Sequence, residues 1–355
     1  MDKLISVIII NYNGMDFLDR CFNSLLKTNY GNFEVIFVDN ASTDTSVSFI
    51  SDKFRDNRIK IIRNDKNYGV AGARNIGFNN SSGDFIVFLD NDTEVDSNWL
   101  SAFVKVFAQD NSIAVAQSKL LNMAIRNKFD HAGDYLTPFG FLFERSSQKE
   151  DTGQFKEVEN IFNAKGAATI IKSSIFKELG MYDDSYFMYL EETDFCFRVW
   201  LAGYRVVFVP NSIVWHAFNT IYKDAKKHYS DHNARYRGAR NYITTLLKNL
   251  SVPSLIVILP FHIFGWLALS FLFIPRLKFR DSWWILKGII ANIIYLPLTA
   301  KKRFFVQHKV RRIMDRDFLK LVQKYKLVQV EEIWNLYLRK AKCYIKGVAF
   351  DEIPS

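Results

Sequence analysis

Cysteine is scarce in this chain. Its 355 residues include three, Cys21, Cys196 and Cys343, far apart and without a CxxC pair. A disulfide scaffold, a zinc ribbon and a thioredoxin-type redox site are thereby excluded as organising features, and the thiols fit a reducing cytoplasm. Charge is sparse too: 24% of residues are charged against 49% hydrophobic and 15% aromatic, which excludes a disordered chain and leaves ample material for a core. There is no internal repeat and no low-complexity tract. The opening MDKLISVIII has neither the apolar length nor the cleavage pattern of a signal peptide, and reads as a buried strand that begins the fold. The length suits one large or two smaller domains.

The net charge of +10 is unevenly distributed. Residues 1–220 carry 22 Lys/Arg and 28 Asp/Glu, a balance of −6, whereas residues 221–355 carry 25 and 9, a balance of +16. The basic part also holds the longest apolar runs, 255–274 and 283–298. Basic and apolar together point to a membrane surface rather than to nucleic acid, and no nucleic-acid-binding module signature occurs. The expected division is therefore a domain over 1–220 and a basic helical region over 221–355.

In the first 120 residues, strand-like runs at 6–10, 33–38, 59–63, 85–89 and 113–117 alternate with helix-like segments near 16–28, 43–54, 70–79 and 98–109. This alternation predicts an α/β fold with a mostly parallel sheet flanked by helices. Such sheets bind ligands beyond the carboxyl ends of their strands, so the polar residues there are the candidates. Residues 120–160 read as a loop-rich insertion, and 161–216 as an apolar segment, a helix over 192–202 and a strand over 205–209. A basic, helical pattern starts near 224 and includes an amphipathic segment over 318–337.

Asn11-Tyr12-Asn13-Gly14 follows the first strand and Asp39-Asn40-Ala41-Ser42 the second. An aspartate at such a point accepts hydrogen bonds from a base N–H or a ribose hydroxyl, although the same residue types serve ordinary turns. The run Asn67-Tyr68-Gly69-Val70-Ala71-Gly72-Ala73-Arg74 is neither a Walker A loop nor GxGxxG. Its small residues let a helix start approach a ligand, and Arg74 suits a diphosphate. The fourth strand runs directly into Asp90-Asn91-Asp92. Two carboxylates two residues apart at a ligand-binding edge repel one another without a cation, and hard oxygen donors suit Mg²⁺ or Mn²⁺.

In Glu191-Glu192-Thr193-Asp194-Phe195-Cys196-Phe197-Arg198, a helix sets Asp194 and Arg198 four residues apart, within pairing range. Glu192 leans toward the apolar face, where a raised pKa suits a general base; Glu191 is its rival. His216 ends the apolar stretch 213–215 and reads either as a hydrogen-bonded core histidine or as the further ligand that a two-carboxylate metal site needs.

Taken in order, these elements resemble the family 2 glycosyltransferases of the GT-A fold, close to a rhamnosyltransferase-like branch. The resemblance covers residues 4–245. It implies a Rossmann-like GT-A domain in which Tyr12 and Asp39 hold the nucleotide base, and Asn67 and Arg74 lie near the ribose and phosphates. Asp90, Asn91 and Asp92 match the DxD, with Asp92 touching the metal; Gly166 and Ala167 match a small-residue loop near the sugar. Glu192 matches the catalytic base in a pattern that is usually Glu-Asp-x-Asp and here reads Glu191-Glu192-Thr193-Asp194. His216 matches a metal ligand. The Gln-x-x-Arg-Trp motif of processive members is missing, which implies one sugar per acceptor. The implied activity is metal-dependent (Mn²⁺ or Mg²⁺) inverting transfer of a sugar, with rhamnose the first candidate, from a nucleotide-diphosphate donor to a lipid-linked or cell-surface glycan acceptor in cell-envelope polysaccharide biosynthesis.

A nucleotidyltransferase would need a Gly- and Arg/Lys-rich loop after the first strand, and residues 11–14 carry no such charge. An inactive nucleotide-sugar-binding scaffold of a glycan assembly complex is the alternative from another class. The tail bears on location. Arg276, Lys278 and Arg280 lie between the two apolar runs, and Lys301, Lys302, Arg303, Lys309, Arg311 and Arg312 follow the second. Positive charges prefer the cytoplasmic side, so helices that lie in the interface or re-enter it are expected, with Trp266, Trp283 and Trp284 at headgroup level. A core helix pair or a homodimer interface is the competing account of the same runs.

Overall fold

The computed structural model describes residues 3–146, 149–217 and 232–322. The chain falls into two compact units, one of Met1–Asp134, Glu144–Trp200 and Tyr204–Phe218, the other of Tyr135–Phe143, Leu201–Gly203 and Asn219–Ser355. The first carries β1 (Ile5–Asn11), α1 (Met15–Leu25), β2 (Phe33–Asp39), α2 (Ser46–Lys53), β3 (Ile59–Arg63), α3 (Gly69–Asn79), β4 (Phe85–Asp90), β5 (Thr93–Val95), α4 (Trp99–Gln109), β6 (Ile113–Asn122) and β7 (Phe129–His131). A hairpin of β8 (Asp134–Leu136) and β9 (Leu142–Glu144) follows. Then come β10 (Glu159–Asn160), β11 (Ala168–Lys172), α5 (Ser173–Glu178), α6 (Glu191–Leu201) and β12 (Arg205–His216). The main sheet runs β10-β12-β6-β11-β4-β1-β2-β3, with β5 on β12 and β7 on β6.

The run Ile5-Ser6-Val7-Ile8-Ile9 is buried on both faces of its strand. A central parallel strand has no solvent side, so the sequence shows a continuous apolar run instead of alternation. Helix α1 presents Leu18, Cys21, Phe22 and Leu25 inward, the three- and four-residue spacing of one helix face. Each such side chain, taken from water, contributes roughly 1.5–3 kcal/mol.

Strand register gathers the polar ends. In the parallel pairs, Asn11 lies beside Asp39 and Ile10 beside Asp90, so β1, β2 and β4 deliver their terminal residues to one edge. Strand β11 breaks the parallel order: it runs antiparallel to both β4 and β6, with Ala168 opposite Leu89. The chain before β11 therefore arrives beside the end of β4, where Asp90 N–H donates to the Ala167 carbonyl. The region read as a loop-rich insertion is more ordered than expected. Strand β6 continues to Asn122, and β7 to β10 follow it, because their buried residues pack rather than face water. Strand β12 also outruns its expected end at 209, continuing across an irregularity between Val209 and Ile213 to His216.

The second unit holds α7 (His232–Asn249), α8 (Val252–Phe273), α9 (Phe279–Ile294), α10 (Leu296–Phe305) and α11 (Asp315–Val322). Only the start of the expected 318–337 amphipathic segment is described; the remainder lies outside the described residues, as do Cys343 and the stretch from 224 to 231. Ala239, Phe273 and Ile285 form a small core with Trp266, Leu269 and Ile289 against it. Polar pairs join α7 and α9: Arg235 with Asp281, and Thr244 Oγ1 donating to Asn292 Oδ1 at 2.7 Å. Arg303 donates to the carbonyls of Leu247 and Leu250, satisfying the open C-terminus of α7.

Helix α8 and the turn after it, Val252–Arg276, are long and apolar enough to cross or associate with a membrane, and only 17% of that window is buried. The following helices, Phe279–Ile294 and Leu296–Val310, are bent by 63°. The expected aromatic anchors divide. Trp283 is exposed, but Trp266 packs on the small core and Trp284 stacks against His232.

Candidate active site

Four strand ends and one helix start build the candidate site, all within the first unit. Asp90 ends β4 and Asp92 follows in the turn to β5. His216 ends β12, where it pairs with Thr93 of β5, and Ala217 N–H donates to the Asp92 carbonyl. The His216 Nε2 atom lies 3.2 Å from Asp92 Oδ1 and 4.0 Å from Asp90 Oδ2. Donor atoms of Asp90, Asp92 and His216 all lie within 4.8 Å of one another. Two carboxylates and an imidazole at this spacing fit a divalent cation. Burial opposes charge on His216, yet Asp92 and Asp130 outweigh it and its pKa is pushed up to about 10. The cluster therefore attracts positive charge, which a proton on His216 or a cation supplies.

Arg74 connects this cluster to the glutamates. Its Nη2 donates to Asp90 Oδ1 and to the Gly166 carbonyl, both at 2.8 Å, and its Nη1 lies 3.5 Å from Glu191 Oε1. The side chain is 5% exposed. In this structure the guanidinium is committed to protein partners at the metal-site and glutamate ends alike. Gly166 is needed for that geometry, since a Cβ there would overlap the Arg74 guanidinium.

Small residues in α3 also have a different reason from the one read in the sequence. Gly69 adopts φ +74°, and a Cβ on it would overlap the Phe187 carbonyl. Ala71 N–H donates to that same carbonyl, so the helix start is closed by protein rather than held open for a phosphate. The segment pressing on it is strained: Phe187, Tyr189 and Leu190 all have positive φ. Each non-glycine residue in that region costs on the order of 1–3 kcal/mol. The strained turn leads directly into α6 and sets the direction of Glu191 and Glu192.

Those two carboxyls differ in setting. Glu191 is 3% exposed, and Glu192 is half-buried. Burial pushes both above the ordinary carboxyl range, Glu191 well above it with the neighbouring Glu192 charge adding to the effect. The pair therefore holds a proton more readily than two exposed carboxyls do. Oε2 of each has no hydrogen-bond partner among the described residues. Asp194, the third acidic residue of the motif and a catalytic candidate beside the two glutamates, has a structural setting. It is fully buried, pairs with Arg198 Nη2 at 2.9 Å and accepts from Tyr186 OH at 3.4 Å, so it holds α6 in place.

The nucleotide-binding candidates share the same sheet edge. Asp39 is 4% exposed; it accepts from Ser42 N–H at 3.1 Å and from Asn11 Nδ2 at 3.3 Å. Asn91 Nδ2 donates to Asn11 Oδ1 at 2.7 Å, which fixes the turn after β4 against the end of β1. Asn67 Oδ1 accepts from Gly69 N–H and Asn40 Nδ2, a turn-capping use. Tyr12 is 54% exposed and presents its ring to solvent at this edge. Sequence reasoning missed Asp130 and Lys165. Both lie around the stretch read as irregular, and their only sequence signal was polar residues beside buried ones.

Comparisons with known proteins agree with this geometry. Residues 6–180 match the family model described as Glycosyl transferase family 2. Glycosyltransferase GlyG of Streptococcus pneumoniae is 26% identical over 230 residues, covering 60% of this chain and 70% of that protein. The Escherichia coli protein named UDP-Glc:alpha-D-GlcNAc-diphosphoundecaprenol beta-1,3-glucosyltransferase WfgD is 36% identical over 110 residues, 31% of this chain and 43% of its own length. The match thus spans under half of that relative. Among solved structures, GalNAc-T7 with UDP, GalNAc and Mn²⁺ aligns with a TM-score of 0.57 at 19% identity, covering 82% of this chain and 57% of that one. Staphylococcus aureus TarS 1–349 with UDP-GlcNAc aligns with a TM-score of 0.55 at 15% identity, covering 93% and 91%. The structural likenesses establish a GT-A fold, and residues 6–180, which run from β1 through the DxD to α5, match glycosyltransferase family 2.

Proposed function

We propose that the protein transfers one sugar, with inversion, from a nucleotide-diphosphate donor to a hydroxyl of a lipid-linked or cell-surface glycan, with a divalent cation held by Asp90, Asp92 and His216. The observation that carries this reading is the pair of centres joined by Arg74: the three converging donor groups on one side and the two glutamates on the other. A bound Mn²⁺ or Mg²⁺ offsets the charge that builds on the departing diphosphate. Arg74 holds Asp90 and the Gly166 carbonyl in register for that site. Tyr12, Asp39 and the turn at Asn67 serve the nucleoside end. The acceptor oxygen bonds to the anomeric carbon as the bond from that carbon to the phosphate oxygen breaks. The electron pair leaves with the diphosphate, and the acceptor proton passes to Glu192. Attack from the face opposite the leaving group inverts the centre. The name of WfgD, with its lipid-diphosphate acceptor, supports a lipid-linked acceptor here. Rhamnose rests on the sequence resemblance alone.

The test is binding and slow hydrolysis across UDP-, GDP- and dTDP-sugars with Mn²⁺ or Mg²⁺. One donor is expected to bind only with metal, and the anomer of the transferred product, read by NMR, is expected to be inverted. Retention overturns the single-displacement mechanism. Absence of binding to every donor under either metal overturns the transferase reading, and a donor that binds with neither hydrolysis nor transfer favours the inactive nucleotide-sugar-binding scaffold.

We further propose that the 221–355 region attaches the catalytic domain, 1–220, to the cytoplasmic membrane face by helices lying in or re-entering the interface. Helix α8 packs Trp266, Leu269 and Phe273 on the small core but leaves Ile256, Phe264 and Phe271 at least 65% exposed, an apolar face its own unit does not cover. Arg276, Arg280, Lys301, Lys309 and Arg312 are exposed around the apolar segments. Each cation near an anionic surface adds about 1 kcal/mol. Purified protein added to preformed vesicles is expected to float with phosphatidylglycerol-containing vesicles, and less with pure phosphatidylcholine or in high salt. No flotation with either composition overturns the proposal.

A further inference from the structure

We infer that Asp130 is the positioning residue of the metal site, orienting His216 so that Nε2 is the ligand atom; the inference rests on the metal reading above. Asp130 lies in β7 and is 6% exposed. Its Oδ2 is 2.9 Å from His216 Nδ1, on the opposite side of the ring from Asp92 and Asp90. A carboxylate accepting Nδ1–H fixes one tautomer, leaves the Nε2 lone pair toward the two aspartates, and locks the ring plane. His216 is 3% exposed, so its ring is held by these partners and not by solvent.

Lys165 completes the arrangement. Its Nζ donates to Asp130 Oδ2 at 3.0 Å, which offsets a third carboxylate placed so near the cation site. Three consecutive residues then serve the same centre. Lys165 holds Asp130, the Gly166 carbonyl accepts from Arg74, and the Ala167 carbonyl accepts from Asp90 N–H. Lys165 is itself anchored, its N–H donating to Gln117 Oε1 at 2.7 Å and its carbonyl accepting from Thr169 Oγ1 at 2.6 Å. Asp130 is buried and its Oδ2 is shared by His216 and Lys165. Its effect passes through the histidine.

The experiment measures Mn²⁺ affinity on the full chain without any donor, by EPR of free Mn²⁺, for wild type, Asp130→Ala, Asp130→Asn and His216→Ala. Asp130→Ala is expected to weaken Mn²⁺ binding about 10- to 100-fold. Asp130→Asn, whose amide oxygen still accepts Nδ1–H, is expected to recover most of that loss. A folded Asp130→Ala protein with wild-type Mn²⁺ affinity overturns the inference. The ¹⁵N spectrum of His216 in the Mg²⁺-loaded wild type, assigned by its absence in His216→Ala, is expected to show the Nδ1–H tautomer. The Nε2–H tautomer overturns the inference without recourse to any variant at 130. If wild type itself binds no Mn²⁺, the metal reading falls first, an outcome distinct from tight binding that ignores Asp130.

Discussion

Glu192→Gln lowers kcat about a hundredfold to ten-thousandfold while leaving donor and metal binding intact. Glutamine keeps the shape of the side chain and removes its capacity to accept a proton, so the loss falls on the chemical step. Glu191→Gln is expected to cost much less, because Glu191 is the more deeply buried of the two and its Oε1 faces Arg74. Single-turnover measurements with saturating donor separate the two. Equal losses in both variants, or unchanged turnover in Glu192→Gln, exclude Glu192 as the base. The pH dependence supplies an independent check. Glu192 must be deprotonated to act, and burial raises its pKa above the ordinary 4.5. The acid limb of kcat/KM therefore lies above 4.5, and activity rises with pH through it. Its disappearance in Glu192→Gln assigns it.

Asp92→Ala removes Mn²⁺ binding and with it metal-dependent donor binding. A metal centre is worth several kcal/mol of charge stabilisation, so a loss of about 4 kcal/mol corresponds to roughly a thousandfold in kcat/KM. The fold is expected to survive. The Asp92 side chain is partly accessible, and the repulsion of Asp90 that its removal relieves offsets the lost pairing with His216 in the metal-free protein. Thermal unfolding distinguishes lost binding from lost structure. Mn²⁺ raises the midpoint of wild type, because it binds the native state and not the unfolded chain. It leaves the midpoint of Asp92→Ala unchanged, and in EDTA the two proteins unfold alike. A wild-type Mn²⁺ response in Asp92→Ala would remove Asp92 from the ligand set.

Elements whose residues state their own environment are legible from the chain alone. The runs at β1, β2 and β4 are apolar apart from Ser6 and Glu34 because central parallel strands bury both faces, and their polar ends, Asn11, Asp39 and Asp90, fall together at one sheet edge. The DxD, the glutamate pair and His216 were legible for the same local reason. Tertiary structure alone decided the partnerships. Antiparallel insertion of β11 beside β4 brings Gly166 to Arg74, 92 residues away in the chain. The pairing of β12 with β5 sets His216 beside Asp92. Asp130 acquires its role only because β7 folds back on β6 next to that histidine. Arg74 and Asp194 show the same limit from the other side, since a charged residue in a motif reads as ready for substrate until the fold reveals the partners that occupy it. Strand patterns record burial, which is a property of each residue's own surroundings. Hydrogen-bond and ligand geometry depends on which distant strands become neighbours, and no local pattern encodes that.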